Sequence, residues 1–180
     1  MRTLYLVRHA KSSWENPEIP DFQRPLLEKG KKRTKQMIDY LESRDVKIDL
    51  MISSHAKRAR ETAEILAHAF QYPADQIKID HLIYEGDEQQ IANSFFDLPS
   101  WVHHLWIIGH NPSITNFANL FLEKRIEYLP TSGIISINFE TDSWEKLQAV
   151  PCSINFVMYP SKVKSIQKQK ATIRERLRDT

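Results

Sequence analysis

Cysteine, glycine and long apolar runs are all scarce in this sequence. A single cysteine, Cys152, stands among 180 residues, which excludes an intramolecular disulfide framework. In its mostly apolar segment Cys152 reads as a core thiol. Met158 occupies the position six residues later, where thiol-nucleophile phosphate hydrolases need an arginine. No Asp-x-Asp occurs, so an aspartate nucleophile is disfavoured as well. The four glycines, Gly30, Gly86, Gly109 and Gly133, form neither a Walker loop nor a dinucleotide fingerprint. Nor is there metal-ligand spacing, since His103 and His104 are adjacent and face opposite sides of a strand. No apolar run approaches a membrane span, and the apolar stretch at the amino terminus is too short for a secretory leader. A cytoplasmic protein with no membrane partner is expected.

A strong net charge is also missing, at +2 over the whole chain. Its distribution is uneven. From Lys162 onward Lys162, Lys164, Lys168, Lys170, Arg174, Arg176 and Arg178 meet only Glu175 and Asp179. Val163, Ile166, Ile173 and Leu177 fall on a and d positions of a heptad, with Lys170 at the intervening a position, as in a basic amphipathic helix. Residues 1–160 then form one domain and 161–180 a basic, helical tail. The plainer role for that tail is a solvated helix laying a thin stripe on its own domain, the sharper one a partner-binding arm.

What is present is alternation. Strand-like segments at 3–7, 48–52, 77–79, 105–108, 134–139 and 154–158 are interleaved with helix-like segments at 26–41, 56–70, 89–96 and 114–122. This pattern predicts an α/β fold, a three-layer α/β/α sandwich around a mainly parallel sheet. Ligands of such sheets bind at the carboxyl edge of the strands. Three strands end there in similar chemistry: the first runs into Arg8-His9, the second passes His55 to Arg58, and the fourth runs into His110-Asn111-Pro112. Asn111 is a candidate N-cap with Pro112 at the first helical position, and Ser53 or Ser54 a candidate cap for the helix carrying Arg58.

Two arginines and two histidines converging on helix amino termini suit a tetrahedral dianion such as a phosphoryl group. Arginine binds its oxygens bidentately and stays charged throughout the working range. A neutral imidazole is a nitrogen nucleophile near pH 7 when its other nitrogen is held as a donor. In-line attack on phosphorus then needs no metal and no cofactor if the arginines and the second histidine stabilise the equatorial oxygens.

With these residues in place the sequence resembles the histidine phosphatase superfamily, and within it the small phosphohistidine phosphatases of the SixA type. The motifs that carry the resemblance are LYLVRHAKSSW, DFQRPLLEKGKKR, LMISSHAKRARETAEIL and IIGHNPSITNFA, in that order, over residues 1 to about 160. The resemblance implies a phosphoglycerate mutase-like fold, His9 as the nucleophile that becomes phosphorylated, and Arg8, Arg58 and His110 as ligands of the phosphoryl group. It implies Arg24 as a further phosphate contact and Glu85, in LIYEGDE, as the proton donor, with Asp87 and Glu88 close by in the same loop. Where the commonest family motif has glycine after Arg-His this chain has Ala10, which lacks glycine's freedom at positive φ. Little sequence is available to build a lid, so the pocket is expected to be open.

The expected substrate is therefore a phosphorylated protein, a phosphohistidine on a phosphotransfer domain, with small phosphate monoesters as the alternative. No nucleic-acid partner is expected. A reading of a different class is a noncatalytic phosphate-binding module that docks through the basic tail.

Overall fold

The computed structural model describes residues 1–176, with side chains to residue 173. Leu177, Arg178 and Asp179, counted above with the tail, lie outside the described residues. Six strands, β1 (Arg2–Arg8), β2 (Leu50–Ser54), β3 (Lys78–Asp80), β4 (His104–Gly109), β5 (Ile134–Phe139) and β6 (Cys152–Met158), form one sheet in the order β3-β2-β4-β1-β5-β6. β3, β2, β4 and β1 are parallel, whereas β5 runs antiparallel to β1 and β6 antiparallel to β5. The sheet is thus mixed, with four parallel strands that carry the expected carboxyl edge.

Helices α1 (Glu28–Glu42), α2 (Lys57–Ala69), α3 (Leu82–Glu85), α4 (Glu88–Asn93), α5 (Ser113–Ala118) and α6 (Pro160–Arg176) surround it. Alternation within the central strands assigns the layers, because successive side chains leave a strand on opposite faces. Leu4, Leu6, Leu105 and Ile107 pack with Ile91 of α4 and with Ile114 and Phe117 of α5. Tyr5, Val7, Trp106 and Ile108 pack with Met37 and Leu41 of α1, Leu66 of α2 and Val163 of α6. Both faces are covered, which is why β1 and β4 read as continuous apolar runs. Each of these buried side chains contributes about 1.5–3 kcal/mol, so the strands that present the site belong to the most stable part of the fold.

Several boundaries differ from the sequence expectation. β2 starts two residues later and takes in Ser53 and Ser54, both fully buried. Hydrogen bonds make that burial tolerable, with Ser53 Oγ donating to the Ser54 carbonyl and Ser54 Oγ pairing with His110. α1 starts at Glu28 because Leu26 instead bridges to Ser12. α4 and α5 are shorter than expected, and residues 82–85 form a helical turn that the periodicity does not announce. Cys152 is not a core thiol: it opens the edge strand β6 and is exposed. In α6, Val163 and Ile166 pack against the domain while Ile173 is exposed. Among the described residues no helix is long and apolar enough to cross a membrane.

Candidate active site

The register of the two central parallel strands aligns Arg8 with Gly109. The residues that follow, His9 and His110, therefore leave the sheet side by side, with ring centroids 4.9 Å apart. The His9 backbone N–H donates to the Gly109 carbonyl at 3.0 Å, which continues the ladder into the site. β2 flanks β4 on its other side with Ser53 opposite Ile108, bringing Ser54 and the start of α2 to the same edge.

His9 is buried and its tautomer follows from its partners. Nδ1–H donates to the Ala10 carbonyl at 2.7 Å, which leaves the lone pair on Nε2. Arg58 Nε–H points at that lone pair from 3.3 Å. Burial above all, and then the charges of Arg58, Arg8 and Arg24, push the His9 pKa down to about 3 despite the opposing bond to Ala10. The imidazole is neutral at pH 7, as a nitrogen nucleophile must be. Ala10 itself is fully buried and is absent from the residues with positive φ, so this backbone does not require glycine. Its N–H donates to Thr62 Oγ1 at 2.9 Å, and that hydroxyl donates to the Arg58 carbonyl at 2.6 Å. One threonine of α2 thus ties the loop that orients His9 to the turn that carries Arg58.

His110 Nε2 pairs with Ser54 Oγ at 2.9 Å. The same Ser54 oxygen accepts the Ala56 N–H, so its own proton is available to Nε2. That assignment leaves His110 protonated at Nδ1, which has no partner among the described residues. Burial, followed by His9 and Arg58, lowers the His110 pKa to about 2, and it too is neutral.

The loop between β1 and α1 folds back over this edge. The Ser12–Leu26 bridge closes it, and Arg24 anchors it through Nε–H to the Ser13 carbonyl at 2.7 Å and through a second nitrogen to Ser12 Oγ at 2.8 Å. Gly30 of α1 allows the helix to approach the chain after His9, since a Cβ there would stand 2.3 Å from the Lys11 carbonyl oxygen. Arg24 also lies against the exposed ring of Trp14, 3.2 Å from its centroid. The sequence reading missed Asp21, which this loop carries inward. Its carboxylate accepts from Arg24 at 2.6 Å, from Arg58 at 2.8 Å and from the Tyr84 hydroxyl at 2.7 Å. The DFQRPL segment holds the signal, an acid three residues before the expected arginine. Tyr84, likewise missed, also packs its ring edge-on to His110 with centroids 5.2 Å apart.

His9, His110, Asp21, Arg24 and Arg58 line a cleft of about 420 Å³. Arg8, Lys11, Arg24, Arg33 and Arg58 face one acid, Asp21, across it, a strong field for a dianion. Arg8, His9, Arg24, Arg58 and His110 are thus brought together, and four of them, all but Arg8, are buried. Glu85 is not. It is exposed at the end of the α3 turn and does not line the cleft, because the register of that turn gives the inward position to Tyr84. The expected caps are absent as well. The Asn111 side chain is used by Leu129 and Thr115, and neither α2 nor α5 has a side-chain cap. His55 stacks on His81 and meets Tyr84 edge-on.

Residues 4–112 match the family model of the histidine phosphatase superfamily, branch 1. An uncharacterized protein of Picosynechococcus sp. is 36% identical over 123 residues, which cover 64% of this chain and 70% of that protein. Among solved structures, the protein histidine phosphatase SixA complexed with tungstate superposes with a TM-score of 0.75 at 21% identity, over 89% of this chain and 99% of that one. The mycobacterial glucosyl-3-phosphoglycerate phosphatase superposes with a TM-score of 0.60 at 13% identity, over 86% and 97%. The resemblance in fold spans nearly the whole of each.

Proposed function

The chain belongs to the histidine phosphatase superfamily and is a phosphatase, and from that premise we propose that it is a metal-independent phosphohistidine phosphatase of the SixA type with a covalent intermediate on His9. The observation that carries the proposal is the state of His9: neutral, held by Ala10 at Nδ1, with its Nε2 lone pair turned to a cationic cleft. In the proposed reaction that lone pair forms a bond to phosphorus as the bond to the leaving group breaks. Arg8, Arg24 and Arg58 bind the phosphoryl oxygens, and the His110 Nδ1–H donates to a further one. Arg58 Nε–H, now on the nucleophile, keeps the ring aimed until the dianion arrives. Water then attacks the phosphorus of phosphohistidine and returns His9 to its neutral form.

A phosphorylated protein side chain is the substrate we favour. A phosphoramidate leaves easily once its nitrogen is protonated, and Trp14, which lines the cleft, is an exposed aromatic surface for a protein-borne substrate. The tungstate bound by SixA, a tetrahedral oxyanion, supports the same kind of ligand here. Small phosphate monoesters are a second reading, favoured by the cleft volume of about 420 Å³, which lies within the usual range for small-molecule sites. The test has two arms. Label from a phosphorylated substrate is expected on His9, labile in acid and stable in base, and absent from His9→Ala; label elsewhere, or activity that depends on added divalent metal, refutes the mechanism. Comparing rates on a phosphorylated phosphotransfer domain and on a panel of monoesters decides the substrate. A noncatalytic module would turn over neither.

A further inference from the structure

The mechanism above lacks a proton donor for the leaving group, and the cleft offers one carboxyl group. Asp21 is the only acid among the described residues that line it. Its side chain is 43% exposed, within reach of both an incoming substrate and water. Three elements converge on it: Arg24 from the loop, Arg58 from α2 and Tyr84 from α3, while Arg58 also donates a second bond to the Asp21 main-chain carbonyl at 2.7 Å. A carboxylate bridging two guanidinium groups occupies the donors that a phosphoryl group requires.

We propose that Asp21 is the general acid–base of this enzyme, standing in for the phosphoryl group on Arg24 and Arg58 in the free protein and released as the proton donor when the substrate claims those arginines. The inference rests on the phosphatase reading above and adds to it the residue and the trigger. In the free protein burial would raise the Asp21 carboxyl, but bonds from Tyr84, Arg24 and Arg58 and the charge of Arg58 hold it well below the usual carboxylate range. In that state it cannot donate a proton. Substrate binding removes the two charge-assisted bonds and adds a dianion beside the carboxylate, and both changes favour protonation. Tyr84 remains to hold the carboxyl in place, with Lys11 and Arg33 left to balance the added charge.

The step balances without any further reagent. As His9 Nε2 bonds to phosphorus, the bond from phosphorus to the leaving oxygen or nitrogen breaks and that atom takes the proton of Asp21. Water then attacks phosphohistidine and gives its proton to the Asp21 carboxylate. The phosphorus–Nε2 bond breaks with its electron pair returning to His9, and phosphate departs. Glu85 is exposed and off the cleft, so it takes no part.

The test is steady-state kinetics of the full chain on aryl phosphates graded from a good leaving group, nitrophenol, to a poor one, phenol. Removing a general acid should cost Asp21→Asn about 100-fold or more on phenyl phosphate and less than about tenfold on nitrophenyl phosphate. Glu85→Gln should match the wild type on both. Tungstate binding provides a second readout, since Asp21→Asn should bind it more tightly than the wild type once the internal competitor is neutral. An equal loss on all leaving groups, or weaker tungstate binding, would show that Asp21 only organises the arginines and would overturn the proposal. A wild type that turns over no aryl phosphate or phosphoramidate would instead overturn the phosphatase reading on which it rests.

Discussion

Thr62 joins the two halves of the site: its hydroxyl accepts the Ala10 N–H and donates to the Arg58 carbonyl. Ala10 in turn holds His9 Nδ1, so the geometry between the proposed nucleophile and Arg58 passes through this one buried side chain. Thr62→Val keeps the shape but leaves a buried N–H and a buried carbonyl without that partner. Unfolding in urea should show a loss of about 1–3 kcal/mol, and kcat should fall more than KM rises. Thr62→Ser should restore both, an outcome that a purely steric role for the methyl group would not produce.

Arg58 serves the site with its whole fork, since Nε reaches His9 while the terminal nitrogens reach the Asp21 main chain and side chain. A lysine retains the charge but cannot reproduce that planar set of donors. Arg58→Lys should therefore lose kcat/KM almost as severely as Arg58→Ala, by about 100-fold or more on the same substrate. Near-normal activity in the lysine variant would mean that charge alone matters.

Glycine at position 10, as in the commonest family motif, should bring no gain. Ala10 lacks a positive φ here, so the methyl group costs no backbone strain, and Ala10→Gly adds unfolded-state entropy. Thermal and urea unfolding should report a loss of about 0.4–1 kcal/mol, plus a small term for the vacated methyl volume. Turnover should remain within a few-fold of the wild type. A marked rise in turnover would show that the backbone approach to phosphate is limited by the side chain.

Acid should destabilise the fold through its neutral histidines. The pKa of His9 is lowered to about 3 and that of His110 to about 2, whereas an unfolded histidine titrates near 6.5. Between those values the unfolded chain binds more protons, so stability falls as pH drops below about 6.5, and each histidine contributes a slope of up to about 1.4 kcal/mol per pH unit. His9→Gln should flatten the dependence between pH 6 and 4, as measured by urea unfolding at a series of pH values around those of the unfolded group. An unchanged slope would place the acid sensitivity elsewhere.

Tyr84 and Asp21 were not readable in advance for a physical reason. Tyr84 lies in LIYEGDE, where three acids attract attention and a tyrosine does not. Only the α3 turn decides that Tyr84 faces Asp21 and His110 while Glu85 faces solvent. Helix ends were missed for a similar reason. Asn111 has the chemistry of a cap, but its amide is used by Leu129 and Thr115, partners distant in the chain or settled by the local turn. Cys152 looked internal because its neighbours are apolar, and it is exposed on β6, the edge strand of the sheet among the described residues.

By itself the sequence determined the layered fold and the groups that end its central strands. The continuous apolar runs of the central strands, interleaved with helix-like segments, and the adjacency of Arg8 to His9 are properties of the chain, and no packing can alter them. Tertiary structure alone decided how those groups are arranged. Strand register set His9 beside His110, the Ala10 carbonyl chose which imidazole nitrogen is free, and the folded-back loop placed Asp21, not Glu85, among the arginines. Tautomer, protonation and which acid lines the cleft depend on distances between residues far apart in the chain, and such distances exist only once the chain has folded.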